Sequence, residues 1–404
     1  MRSRMEQGLR LSVWRPWLRL LVALILTGVL LPATRHAAAS GGGSDWPMLG
    51  ANPAQSNFNS REHTLYPRGL HLRWKVSGIP GPYIVAGGRV FAVTATGRTL
   101  VAIALDTRTG SRLGTYGPVR GTYLAYAGGH LYVVGAELSA FDAGTGRRLF
   151  QSHVSHSGAL ADMWLPVVSH GVVFALGTRF GPRTGRNDYA FDAQNGHILW
   201  SKPANDVSAS CIHDGHLYYG GDPEKPRLGS YDLHTGRRLW MISEGSGGFG
   251  GILFGDHDLF FAFGTASHTV IAQALTSNGR SRWTESGFMP QAVAYGRAYG
   301  LVLGKAGVRG VAAVDAAHGK YVWINRGLHE PNDTIIANGV VYVYEGTNSI
   351  AALDARTGRL LTRLYPPHGY TLKGPLGVAG GMLFMGAIAG GGRNVGQYLL
   401  AFGQ

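Results

Sequence analysis

Cysteine is almost absent. The single Cys211 in 404 residues excludes an intrachain disulfide, a CxxC redox pair and a cysteine-rich zinc site. Acidic residues are scarce, with 23 Asp and Glu against 37 Lys and Arg and a formal net charge of +14. Those bases are scattered, and no Lys/Arg run exceeds two residues. The clustered cations and stacking aromatics of a nucleic-acid groove are therefore missing, and no nucleic-acid partner is expected. No uninterrupted apolar stretch reaches the roughly 20 residues of a membrane-spanning helix. G-x-S-x-G, H-E-x-x-H, Walker and D-x-D-x-D-G patterns are all lacking. Glycine is what the chain has in excess, at 62 residues, alongside nine tryptophans and 45% hydrophobic residues. With no G-x-y period and so many aromatics, collagen and wholesale disorder are excluded. Short strands and tight turns are expected instead.

The first residues read as an address. Arg2, Arg4, Arg10, Arg15 and Arg19 stand against Glu6, the apolar stretch Leu20–Leu31 follows, and Ala37-Ala38-Ala39-Ser40 offers small residues for cleavage after Ala39. That is the pattern of a secretory signal peptide over 1–39. No cysteine follows the apolar run, so a lipoprotein is not expected, and no Arg-Arg pair supports a twin-arginine route. The mature chain is expected to be periplasmic or secreted, soluble and monomeric. Removing 1–39 takes away six arginines and one glutamate and leaves a net charge of +9. Of the sixteen histidines in the full sequence, the fifteen after residue 39 raise it further below about pH 6.5.

Two signatures recur through the remainder. Gly-x-hydrophobic-aromatic, where the chain turns into a strand, starts at 88, 129, 171, 215, 296, 339 and 381, and a degenerate copy, His257–Phe260, fills the gap. The spacing is 39 to 44 residues, which means stacked units that share a core. The second signature, Ala-x-Asp-x-x-Thr/Asn-Gly with Trp four residues after the Gly, is complete at Ala190–Trp200 and varied elsewhere. In it, Asp192 is placed to accept backbone N–H groups and Gly196 to take a positive φ. Asp106, Asp142, Asp232, Asp315 and Asp354 repeat that turn chemistry and are not read as catalytic. Trp74, Trp200, Trp240, Trp283 and Trp323 are read as structural staples between neighbouring units.

Each unit supplies four strands, and four-stranded sheets repeated radially make a β-propeller. Leu72–Val76 is an orphan strand carrying Trp74, and the last unit lacks an outer strand. The expected fold is an all-β, eight-bladed propeller of four-stranded antiparallel blades. A strand at about 72–76 completes the C-terminal blade and leaves no open seam. The domain plan is a signal peptide (1–39), an N-terminal extended segment (40–70) and a single propeller (71–404).

The Asp–Gly–Trp unit resembles the tryptophan-docking repeat of the pyrroloquinoline-quinone-like β-propeller superfamily. The lead-in Asp45-Trp46-Pro47-Met48-Leu49-Gly50, with Asn52-Pro53 and Ser56-Asn57-Phe58-Asn59, is similar to openings in that superfamily. The likeness covers residues 45–404. It implies the propeller, but its members include quinone-dependent dehydrogenases, non-enzymatic outer-membrane assembly scaffolds and some hydrolases, so fold does not choose the function. The quinoprotein alcohol dehydrogenases that it resembles are longer and hold the quinone beside calcium, under a disulfide of adjacent cysteines that this chain lacks. The outer-membrane assembly scaffold is similar in size, but its lipid-bearing cysteine is missing here.

Candidate sites are few. His153 with His156, His213 with His216, and His170 with Cys211 are each two-ligand hints, and no metal is expected. Cys211 reads as a buried small hydrophobe. Gly390-Gly391-Gly392 reads as a flexible rim loop rather than a phosphate cradle. The third unit is extended, and its Thr178–Asp188 hairpin carries Arg179, Arg183 and Arg186 around Phe180. The next unit has Lys225 and Arg227 at the equivalent place. These six residues form a candidate partner-binding rim for a carboxylate-bearing partner. Glu330, Asn332 and Asp333 are candidates for a channel entrance. The expected function is that of an exported, non-enzymatic protein-binding scaffold in the cell envelope, without a cofactor. The alternative is an exported oxidoreductase using pyrroloquinoline quinone with calcium, or a cofactor-free hydrolase with acidic residues in the central channel.

Overall fold

The computed structural model describes residues 44–404, apart from Pro80 and segments 155–162, 178–186, 205–208, 221–226, 244–250, 265–268, 305–306 and 391–394. All of the regular elements described are strands, and they form eight separate sheets. In blade 3, for example, Met163–Ser169, Val172–Gly177, Asn187–Asp192 and Ile198–Pro203 follow one another from the centre outward. The eight innermost strands are Tyr83–Ala86, Gly121–Ala127, Met163–Ser169, Ala209–His213, Leu253–Gly255, Phe288–Ala294, Pro331–Ala337 and Tyr370–Ala379, for blades 1 to 8 in order. Each touches the next, and the last touches the first, so the blades close into a propeller around a central channel. Among the described residues, no helix is long and apolar enough to cross a membrane.

Burial explains the composition of the strands. A blade is covered on both faces by its neighbours, so a middle strand such as Val172–Gly177 is buried at every residue. Such strands read as continuous apolar runs rather than alternating ones. Outer strands such as Ile198–Pro203 are largely exposed. The seam closes as expected: His71–Ser77 pairs antiparallel with Gly396–Gly403, with Trp74 opposite Ala401.

The tight turn between third and fourth strands does two jobs. Asp192 Oδ1 accepts the Gln194 and Asn195 N–H groups at 2.8 and 3.1 Å, and Gly196 takes φ 74°. The turn glycine then receives a ring from the preceding blade. Trp200 lies against Gly236, Trp240 against Gly279, Trp283 against Gly319, Trp323 against Gly358 and Trp74 against Gly110. Each indole N–H donates to a carbonyl of the same turn: Trp74 to Thr107, Trp200 to Leu233, Trp240 to Ser277, Trp283 to Ala316 and Trp323 to Ala355, at 2.8–3.0 Å. Small residues sit opposite these rings, with Ala190 facing Trp200, Ser230 facing Trp240 and Ala313 facing Trp323.

The N-terminal segment has a role that the repeat pattern does not reveal. Residues 45–59 run around one end of the channel and bond to successive inner strands. Trp46 bridges Val85 of blade 1 and Met48 bridges Ala125 of blade 2. Ile212 (blade 4), Phe254 (blade 5), Val293 (blade 6) and Ile336 (blade 7) donate N–H bonds to Pro53, Ala54, Ser56 and Asn57 carbonyls at 2.7–2.9 Å. Phe58–Asn59 then pairs parallel with Ile336–Ala337, giving blade 7 a fifth strand. Asn59 Nδ2 donates to the Val378 carbonyl of blade 8 at 2.7 Å. Inner strands present unpaired N–H and C=O groups to the channel, and this circuit satisfies many of them.

The buried Glu62 fastens the end of the circuit. Its carboxylate accepts from Thr64 N–H (2.7 Å), Thr64 Oγ1 (2.6 Å), Leu65 N–H (2.9 Å), Ser44 Oγ (2.7 Å) and Gly381 N–H of blade 8 (2.9 Å). Burial pushes its carboxyl up, but these donors outweigh burial and hold it below the usual range.

Candidate functional site

The circuit contacts the ends of the inner strands, beside their turns into the second strands. A cavity of about 480 Å³ remains toward the opposite end of the channel, within the usual size of ligand pockets. Because the strands alternate in direction, this is the face on which the second strands end and the third strands begin. The backbone at this level is irregular. Pairing with the second strand shifts register between Gly121 and Tyr123, Trp164 and Val167, Pro290 and Ala292, Asn332 and Thr334, and Leu372 and Leu376. These bulges fall on the inner strands of blades 2, 3, 6, 7 and 8, and bulges redirect side chains. Four non-glycine residues that line the cavity hold positive φ: Gln55 (54°), Asn57 (50°), Leu165 (47°) and Asp333 (37°).

Most of the lining is apolar, with Leu165, Pro166, Ile252, Leu253, Ile335 and Leu376. Two polar groups stand out. Asp333 is the one carboxylate among the described lining residues, and its neighbours Leu376 and Thr334 donate backbone N–H bonds to it. Burial nevertheless pushes its carboxyl above the usual range. Ser210 is buried, lines the same cavity and has a hydroxyl without a hydrogen-bond partner. Near Asp333, the buried Tyr344 hydroxyl is likewise unpartnered, and the carboxylate adds to the upward push that burial gives this phenol. Of the three channel-entrance candidates, Glu330 and Asn332 are exposed, and Asp333 reaches the cavity. Ser210 carried no motif and was missed. The prolines Pro166, Pro290, Pro331 and Pro375 were a usable signal, since proline within a strand marks an edge or a bulge.

The lining can be compared with what a quinone would need. Pyrroloquinoline quinone is a flat tricarboxylate, so a site for it needs cationic or N–H partners and a flat ring to stack on. The described lining holds no Lys, Arg, His or Trp. Nor is there a group of three His, Cys, Asp or Glu able to hold a metal ion among the described residues. Tyr123 is a ring and Gln55 and Asn57 are amides in that lining, but the described residues offer no cation for the quinone's carboxylates and no ligand group for calcium. Among the described lining residues, one carboxylate is present where glycoside hydrolysis uses a pair.

A second depression, of about 560 Å³, lies on the other side of the N-terminal circuit. Its lining includes Asn52, Ser60, His170, His213, His257 and Tyr295. The His213 ring stacks on Phe254 at 3.8 Å between centroids, and its Nε2 is 3.4 Å from Asp214 Oδ2. Burial holds His213 below the ordinary imidazole value, against the opposing pull of Asp214. His213 and His216 face each other across their turn, as their spacing implies. His170 and Cys211 are not brought together as ligands: His170 follows its inner strand and is exposed, while Cys211 is buried between blades among Tyr218, Ile252 and Phe254. Burial pushes the Cys211 thiol far up, which leaves it inert. His156 lies outside the described residues, and His153 ends a strand.

The rim candidates Arg179, Phe180, Arg183, Arg186 and Lys225 lie outside the described residues, as do residues 391–394 of the glycine loop. Arg227 is exposed and opens the third strand of blade 4. Asp188, read as part of the loop, belongs to the strand Asn187–Asp192 and is buried. Its Oδ1 accepts the Gly177 N–H at 2.9 Å, its Oδ2 has no partner, and burial pushes its carboxyl up to about 7.

Comparison with known proteins places this architecture. BamB from Moraxella catarrhalis superposes with a TM-score of 0.60 at 15% identity, covering 83% of this chain and 98% of that one. The quinohemoprotein alcohol dehydrogenase from Comamonas testosteroni superposes with a TM-score of 0.65 at 15% identity, covering 92% and 82%. At these identities the likeness is one of fold. In sequence, a quinohemoprotein alcohol dehydrogenase of Comamonas testosteroni is 28% identical over 200 residues, 41% of this chain, and the match spans 27% of that relative's length. The family model described as "Outer membrane protein assembly factor BamB" matches residues 98–243 and 267–365, more than half of the chain. The chain therefore belongs to this BamB-type family of propellers built from PQQ-like repeats.

Proposed function

We propose that the chain is an exported, partner-binding propeller of the cell envelope that works without a redox cofactor. The observation that carries this reading is the channel. One end is ringed by the chain's own residues 45–59, and the described lining of the remaining cavity offers neither cations for a quinone's carboxylates nor a metal-ligand group. The family match supports the same reading. The signal-peptide pattern supports export, with residues 40–404 as the mature chain.

The partner-binding surface in this proposal is the rim of blades 3 and 4. Arg179, Arg183 and Arg186 neighbour Phe180 in sequence, Lys225 stands at the equivalent place in the next unit, and Arg227 opens the third strand of blade 4. Guanidinium groups around an aromatic ring suit a carboxylate-rich protein surface. The test is in-cell photo-crosslinking from position 227, with and without Arg179→Glu, Arg183→Glu and Arg186→Glu combined. The proposal predicts a discrete crosslinked envelope protein whose yield falls at least tenfold in the triple variant. An unchanged yield, or no specific crosslink from this rim, would count against it.

A second reading is favoured by one finding, the 28% identity over 200 residues with a quinohemoprotein alcohol dehydrogenase. It makes the chain a quinone-dependent oxidoreductase. It requires quinone-binding groups beyond the described lining, and stoichiometric quinone uptake distinguishes it.

A further inference from the structure

We infer that the channel cavity is a binding site for a small organic cation, with an ammonium group on the Asp333 carboxylate and an apolar body against the surrounding aliphatic side chains. This goes beyond the partner-binding role and does not depend on it.

Charge carries the argument. Among the described lining residues Asp333 is the one carboxylate, and none is cationic. An acid in apolar surroundings is costly to ionise unless a counter-charge arrives. Asp333 is anchored by the Leu376 and Thr334 N–H groups, so it is oriented but not neutralised. An ammonium supplies the missing charge and forms a charge-assisted hydrogen bond. An anionic ligand meets repulsion from the same carboxylate.

The second observation is independent of Asp333. Ser210, on the inner strand of blade 4, lines the same cavity, and its buried hydroxyl has no hydrogen-bond partner. Buried polar groups are nearly always satisfied, so a bound polar group is the natural complement. The lining is also held in costly backbone conformations. Leu165 at φ 47° is branched and bulky, a residue type that rarely takes this region. Strain of this kind, alongside a bulge in several inner strands, gathers where a site is shaped for a ligand. Aliphatic walls suit a hydrocarbon body, and about 480 Å³ accommodates a molecule the size of a substituted benzylamine.

The test uses three probes of nearly one shape and different charge: benzylammonium, benzyl alcohol and benzoate. Isothermal titration into residues 40–404 is expected to show benzylammonium binding at least tenfold more tightly than benzyl alcohol, and no binding of benzoate. Asp333→Asn is expected to abolish that preference. Asn tolerates positive φ well, so this variant keeps the backbone. Ser210→Ala is expected to weaken the two binding probes by similar factors of a few. A readout that needs no variant is the amide chemical shifts of Leu376 and Thr334, which should move with benzylammonium and stay with benzoate. Equal affinity for ammonium and alcohol, an undiminished preference in Asp333→Asn, or unmoved Leu376 and Thr334 amides overturns the proposal.

Discussion

At the scale of single residues, the ring is fastened by pairs in which one partner must be glycine. Trp283 is buried and donates to the Ala316 carbonyl at 2.8 Å, and a Cβ on Gly319 would sit 2.6 Å from its Cδ2. Gly319 also holds φ 73°. Gly319→Ala therefore combines left-handed strain with overpacking, for a loss of about 2–4 kcal/mol. Trp283→Ala should cost about 3–5 kcal/mol. In the Trp283→Ala background the clash is gone, so Gly319→Ala should cost only about 1–2 kcal/mol, its backbone share. Urea unfolding of the four proteins measures this, and strict additivity would show that ring and glycine are not coupled. Two buried carboxylates give opposite pH signatures. Glu62 is held below its unfolded value of 4.5, so its contribution is fully present above that pH and is lost as pH falls through the folded value. Asp188 is raised from 3.8 to about 7, so its ionisation makes folding progressively less favourable between those values, and the penalty is complete above them. Glu62→Gln should thus destabilise at pH 7, with the deficit shrinking as the pH falls below 4.5. Asp188→Asn should gain stability relative to the parent at pH 8 and little at pH 4. Urea midpoints across pH 3–8 decide both.

At the scale of elements, the N-terminal circuit is the least repetitive part and the one bonded to the most blades. It was not legible as a closing segment, because its bonds run to backbone groups on strands far away in sequence and depend on no side-chain period. The blades were legible because their signals are local: Asp and Gly fix the turn within five residues, and the small residue at Ala190 faces the ring of Trp200. Even the degenerate copy at His257 forms its turn, with Asp256 and His257 at φ 47° and 68° in place of glycine. The circuit makes a specific prediction. In the mature chain the Ile212, Phe254, Val293 and Ile336 amides should resist hydrogen exchange, since they donate to its carbonyls. A chain beginning at Ser60 should keep its β-sheet signal, melt at lower temperature and exchange those four amides at least tenfold faster. Equal exchange in both chains would mean that the circuit does not hold the inner strands.

At the scale of the whole molecule, repetition sets the architecture and departures from repetition set the site. Bulges, prolines and positive φ gather on the inner strands around Asp333, where neighbouring blades differ from one another. The sequence pointed to this place only through Asp333 as a channel-entrance candidate and through prolines that interrupt otherwise apolar strands. Ser210 and the apolar walls become a site only when eight blades bring them to one axis, so no local pattern identifies them. The same axis bears the central claim, that this BamB-type propeller works without a quinone. The most direct measurement is the native mass and absorption spectrum of periplasmically expressed residues 40–404, before and after addition of pyrroloquinoline quinone and calcium. The account predicts the mass of the polypeptide alone, a spectrum without a quinone band and no stoichiometric uptake on reconstitution. One quinone bound per chain in the native state and released on denaturation would contradict it and establish the oxidoreductase reading.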